Sequence, residues 1–255
     1  MNVFRMSSDG DDAAASQAAA PKRRWGWFKR LLVWAGALVL MSVLQVASLR
    51  FINPPFSSFM AIRMFEAWGA GDFGFRLKHK WVSLSNMSAA VPLAMIASED
   101  QKFADHDGFD IEAIEKAQAR NARGKKIRGG STITQQTAKN LFLWGGRNYV
   151  RKGLEAWYTV LMEVLLPKAR IIELYANFAE FGDGIYGVQA ASRTFYGVDA
   201  KRLSPSQAAR LAAVLPAPRR YKVSKPGPYV QRRARAIERQ MRLIGGPGYL
   251  QKIEE

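Results

Sequence analysis

The chain contains no cysteine, which excludes disulfides, thiolate metal sites and a cysteine nucleophile. Histidine is nearly as scarce, His79 and His106 being the only two. Acidic residues are in deficit: 21 Asp and Glu stand against 38 Lys and Arg, a formal net charge of +17. Such a surplus attracts polyanions, whether nucleic acid, anionic lipid or a phosphorylated substrate, and does not choose among them. No Gly-x-x-x-x-Gly-Lys-Ser/Thr sequence occurs, so there is no nucleotide P-loop. No stretch alternates convincingly at period two, and the chain reads as mainly α-helical.

At 255 residues the length suits one substantial domain with attachments. Residues 1–30 read as a disordered tail ending in a basic, aromatic patch of Lys22, Arg23, Arg24, Trp25, Trp27, Lys29 and Arg30. From Leu31 to Leu49 nothing is charged and only Ser42, Gln45 and Ser48 are polar. That run of 19 residues spans about 28 Å as a helix, close to the roughly 30 Å hydrocarbon core of a bilayer. A buried core helix of this length would show a polar face, and a cleaved signal peptide would have a shorter apolar run and a small-x-small site, for which Val46-Ala47-Ser48 is weak material. A transmembrane helix over 31–49 is therefore expected. Five basic residues precede it and only Arg50 follows closely, which puts the N-terminus in the cytoplasm and the remainder in the periplasm of a bacterial inner membrane.

Residues 50–80 form a membrane-proximal segment, 81–245 a domain and 246–255 a C-terminal tail. Asn53-Pro54-Pro55 breaks the first helix, and Phe59 to Trp68 is apolar with weak helical spacing. Ser88 is expected to cap a helix that carries Pro92 in its first turn and ends near Glu99. A carboxylate at that end faces the negative pole of the helix dipole, which suits a general base better than a structural acid. Ile111 to Ala117 reads as a second short helix and 119–128 as a basic, glycine-containing connector. Thr132-x-x-Gln135 matches a capping box for a helix over 133–142, whose free N–H groups could face an anion. Gln135 and Lys139, and likewise Arg151 and Glu155, are four apart and share a helix face. Further helices are expected over 168–178, over 205–215 after a Ser204-Pro205-x-Gln207 start, and over 229–243. The arginines of the last read as a solvated or lipid-headgroup face.

Four motifs then stand in order: Glu99-Asp100-x-x-Phe103-x-x-His106-x-Gly108, Gly129-Gly130-Ser131-Thr132-Ile133-Thr134-Gln135-Gln136-x-x-Lys139-Asn140, Arg151-Lys152-x-x-Glu155, and Ile171-Ile172-Glu173-Leu174-Tyr175 through Asn177 to Gly182-x-Gly184-x-x-Gly187. Over roughly residues 80–220 the chain resembles the peptidoglycan glycosyltransferases, both the domain found in class A penicillin-binding proteins and, more closely, the monofunctional form. The chain contains no Ser-x-x-Lys, so a transpeptidase domain is not expected.

The resemblance implies a lysozyme-like helical fold and polymerisation of lipid II: the 4-hydroxyl of an acceptor sugar attacks C1 of a lipid-diphosphate-linked glycan. It implies Glu99 as general base, with Glu155 positioning a substrate or its diphosphate. Lys139, Arg147, Arg151 and Lys152 would hold diphosphates, with Gln135, Thr132 and Asn140 as further substrate ligands, although capping alone would explain Thr132. Asp100, Phe103, His106 and Gly108 would shape the turn that presents Glu99. No cofactor is required; a divalent ion, Mg2+ or Mn2+, at Glu155 stays open. Expected partners are lipid II, the lipid-linked nascent glycan and the membrane, with cell-wall synthases and division proteins open and nucleic acid not expected. Two other classes remain at this point, a lytic lysozyme-like enzyme and a membrane-tethered basic binding protein. The first has no need of four cations around a diphosphate, and no nucleic-acid motif supports the second.

Overall fold

Proline and glycine stand at the limits of several helices in the computed structural model, which describes residues 25–122, 130–146 and 148–254. The described residues divide into two compact units, one up to Met41 and the other from Ser42. The first unit carries most of helix α1 (Trp25–Ser48), which starts earlier than the apolar run alone suggests and takes in Lys29 and Arg30. Its segment Gly26–Ser48 is long and apolar enough to cross a membrane. The tail up to residue 24 lies outside the described residues.

In the second unit, the end of α1 is already part of the domain. Val46 and Leu49 are buried in its core, Trp157 donates from Nε1 to Ser42 Oγ at 3.0 Å, and the Tyr158 hydroxyl bonds Gln45 Oε1 at 3.1 Å. The segment 50–80 contributes α2 (Ser58–Gly69), capped by Ser57, and strand β1 (Lys78–His79). β1 pairs parallel with β3 (Ile185–Tyr186), which pairs antiparallel with β2 (Glu180–Gly182). Strands of two or three residues are too short to show an alternating pattern, so this sheet has no periodic signature in the sequence.

The centre of the domain is α3 (Ala90–Glu99). Every residue from Ala90 to Ala97 is buried, as expected of a helix apolar on all sides. Ser88 does not cap it: Ala89 holds that position without a side-chain bond, and Ser88 Oγ lies a longer 3.4 Å from the Ala90 N–H. The helix is held by packing, each fully buried aliphatic contributing about 1.5–3 kcal/mol. Around it lie α7 (Lys168–Phe178), α9 (Pro205–Val214) and α10 (Pro228–Leu243), while α5 (Ile133–Phe142) packs between α7 and α6 (Tyr149–Leu165). Asn177 on α7 bonds both the N–H and the carbonyl of Val82 at 2.9 Å, fixing the chain that enters α3. Gly187 starts α8 (Val188–Tyr196) at φ +80, where a Cβ would lie 2.6 Å from the Asn177 carbonyl oxygen.

Two helices differ from expectation. α4 runs from Ile111 to Ala122, further than the apolar spacing indicated and into the expected connector, whose residues 123–128 lie outside the described residues. The expected C-terminal tail contains α11 (Gly248–Glu254), with Tyr249 and Ile253 buried.

Candidate active site

Glu99 is the last residue of α3, and both of its carboxylate oxygens are engaged. Oε1 accepts from Ser98 Oγ at 2.9 Å and from Arg233 Nη2 at 3.2 Å; Oε2 accepts from Gln136 Nε2 at 3.2 Å. The Gln136 amide is itself oriented, because the Tyr175 hydroxyl donates to its Oε1 at 3.0 Å. Tyr175 is wholly buried, and burial, reinforced by the charges of Glu99 and Asp100, pushes its phenol well above the ordinary value, so it stays a donor. Glu99 opens onto a cavity of about 400 Å³ whose walls include Lys102, Asp110, Gly130 and Ser131.

The next residue ties this end of α3 to the start of α5. Asp100 Oδ2 accepts the Ile133 N–H at 3.0 Å, the first amide of α5, while Oδ1 is 2.9 Å from His106 Nε2. A carboxylate at a helix N-terminus is favoured by the dipole. His106 Nδ1 accepts the Gly108 N–H at 3.1 Å, so in the neutral ring Nε2 carries the hydrogen. Burial alone would lower this imidazole, yet the Asp100 hydrogen bond and charge outweigh it and raise it above the ordinary histidine value. Phe103 is fully buried, and Gly108 sits at φ +82 with Thr159 Cγ2 only 2.6 Å from where a Cβ would be. All four residues lie in the segment 100–108 that follows Glu99.

Beyond α5 lies the cationic half. Glu155 on α6 is buried and clamped by Arg151 Nη1 and Lys152 Nζ, each at 2.5 Å. The Lys139 ammonium is held below its ordinary value by burial first; Glu155 and Glu99 oppose that, and Arg151 and Lys152 add to it. It therefore interacts with both halves of the site. Asn148 caps α6 by accepting the Arg151 N–H at 2.7 Å, and Asn148, Tyr149, Arg151 and Lys152 line a second cavity of about 400 Å³.

Gln135 is buried, its Oε1 accepting the Thr132 N–H in the capping box, and Gln136 is the glutamine that reaches Glu99. Thr132 is likewise buried, donating to the Gly108 carbonyl at 2.7 Å and accepting the Gln135 N–H. The arginines of α10 are not all a solvated face, because Arg233 points inward to Glu99. Asn140 is half-buried, and its carbonyl accepts from Ser58 Oγ at 3.1 Å. Arg147 and Gly129 lie outside the described residues.

A divalent ion at Glu155 would have to compete with the side-chain cations already there. The two Glu155 oxygens are already taken by cations, Lys139 adds a third positive charge nearby, and no group of three or more His, Asp or Glu residues suited to a metal occurs among the described residues. Hard cations need several oxygen ligands, which this donor set lacks.

Ser98, Gln136, Tyr175 and Arg233 complete the surroundings of Glu99, and reasoning from sequence chose none of them. For Gln136 a signal existed: a capping box consumes the third-position side chain, Gln135, and leaves the next glutamine free.

A family model described as Transglycosylase matches residues 70–242. The chain is 56% identical over 246 residues to the biosynthetic peptidoglycan transglycosylase of Xanthomonas campestris pv. campestris (strain B100), covering 95% of this chain and 99% of that protein. The like-named protein of Xanthomonas axonopodis pv. citri (strain 306) is 55% identical over 246 residues, with 96% and 99% covered. That of Xylella fastidiosa (strain 9a5c) is 53% identical over 228 residues, with 89% and 94% covered.

Proposed function

The chain belongs to the transglycosylase family, and on that premise we propose that it polymerises peptidoglycan glycan chains with Glu99 as general base. It is a peptidoglycan glycosyltransferase of cell-wall synthesis. The acceptor is lipid II and the donor a lipid-diphosphate-linked glycan. As the acceptor 4-hydroxyl attacks C1 of the donor, its proton passes to Glu99. The new C–O bond forms with inversion to a β-1,4 link, and the C1–O bond to the diphosphate breaks, its electron pair leaving on undecaprenyl diphosphate.

Each part of the site has work in this step. A positioned base contributes about 10²–10⁴ in rate. The charge that develops on the leaving diphosphate calls for fixed cations in a poorly hydrated site, and Lys139, Arg151 and Lys152 supply them. Glu155 holds Arg151 and Lys152 in place and offsets part of their mutual repulsion. The observation that carries the reading is the cationic cluster on α6, where Arg151 and Lys152 both hold Glu155, with half-buried Lys139 of α5 among the charges around it. A glycan-cleaving enzyme would gain nothing from such a cluster. We further infer that the apolar N-terminal helix is a single-pass anchor, with its basic end cytoplasmic and the domain in the periplasm.

Separate incubations with lipid II and with finished peptidoglycan test the function. Glycan chains made from lipid II, and no cleavage of finished peptidoglycan, are expected; cleavage without polymerisation would overturn it.

A further inference from the structure

Arg233 lies 134 residues beyond Glu99 in sequence, yet its Nη2 is 3.2 Å from Glu99 Oε1 and 3.1 Å from Ser98 Oγ. It is the one cation within ion-pairing distance of Glu99 among the described residues. Its Nε is buried with no hydrogen-bond partner, an arrangement that costs stability. Val230, Ile237 and Met241 bury the apolar face of α10. Arg233 Nη2 also lies 3.5 Å from the Ser98 carbonyl oxygen, so the same nitrogen holds the end of α3 and faces the carboxylate, while Nε stays unpaired.

The consequence for Glu99 is asymmetric. Oε1 receives two hydrogen bonds and Oε2 one, from Gln136. A carboxylate oxygen has two lone-pair sites, so Oε1 is filled and Oε2 keeps one open. We propose that Arg233 is a positioning residue for the general base: it pins Oε1, so that Oε2 receives the acceptor's hydroxyl proton. This inference rests on the reading of Glu99 as the base. The other charged or titratable groups facing Glu99 are its neighbour Asp100, Lys139 from α5 and Tyr175 from α7, with Lys102 and Asp110 in the shared cavity. None of them fills the place of Arg233.

In the full chain assayed on lipid II, R233A and R233Q should each lower kcat by about 10- to 100-fold through misalignment and leave KM nearly unchanged, and R233K should restore much of kcat. Circular dichroism confirms folding, and R233Q decides the question if R233A does not fold. A wild-type kcat in R233A and R233Q, or a rise in KM with kcat unmoved, would overturn the proposal. E99Q, run alongside, separates the two claims. If E99Q keeps the wild-type rate, the base assignment itself fails. If E99Q is inactive while the arginine variants keep the wild-type kcat, only the role of Arg233 fails.

Discussion

Lys139 shows how one residue's surroundings set a measurable property. Burial holds its ammonium below the ordinary lysine value, and Arg151 and Lys152 push the same way against Glu155 and Glu99. The diphosphate binds the charged form, so donor binding is complete at low pH and weakens as pH rises through that lowered value. An arginine stays charged throughout. The wild-type KM for lipid-linked donor should therefore climb on the alkaline side, whereas that of K139R stays flat. A wild-type KM that is level up to about pH 10, where an ordinary lysine begins to titrate, would contradict the burial argument. The spacing of Gln135 and Lys139 on one helix face was visible in the sequence. That Gln136 is the residue touching Glu99 was not, because the choice depends on Tyr175, 39 residues further on, holding its amide.

At the scale of elements, the helices that local signals define were legible. Thr132 with Gln135 and Ser204 with Gln207 both form capping boxes, and Pro167 and Pro205 stand at the starts of their helices. Elements defined by what packs on them were less so. α3 lacks its expected serine cap, and α11 carries too few residues for a periodic pattern. Yet α11 braces the turn after the base: the Tyr249 hydroxyl accepts the Ala104 N–H at 3.0 Å and donates to the Gln101 carbonyl at 3.2 Å. Tyr249→Phe removes both bonds and should cost about 1 kcal/mol, seen as a fall of about 2–4 °C in the melting temperature together with a lower kcat. An unchanged melt and unchanged kcat would show that α11 does not support the site. The Arg-rich composition of α10 pointed outward because most of its arginines are exposed; the single inward one is identified by its contact with α3.

At the scale of the whole molecule, charge and apolar length together set topology. The basic residues before Leu31 and the near absence of them just after Leu49 support the proposed placement of the domain on the far side of the inner membrane. A reporter active only in the periplasm should work when fused after residue 255; a reporter active only in the cytoplasm working there would reverse the orientation. Within the domain, the residues of the candidate site come from α3, α5, α6, α7 and α10, so the site exists only in the folded chain, and the motifs alone held its parts without their contacts. The account turns on Glu99 as the proton acceptor. The most direct test is lipid II polymerisation by Glu99→Gln in the full chain, a change that keeps the side chain's size and removes its charge. The expected result is a loss of about 10²–10⁴ in rate, with folding and lipid II binding retained. Polymerisation by Glu99→Gln at the wild-type rate would contradict it.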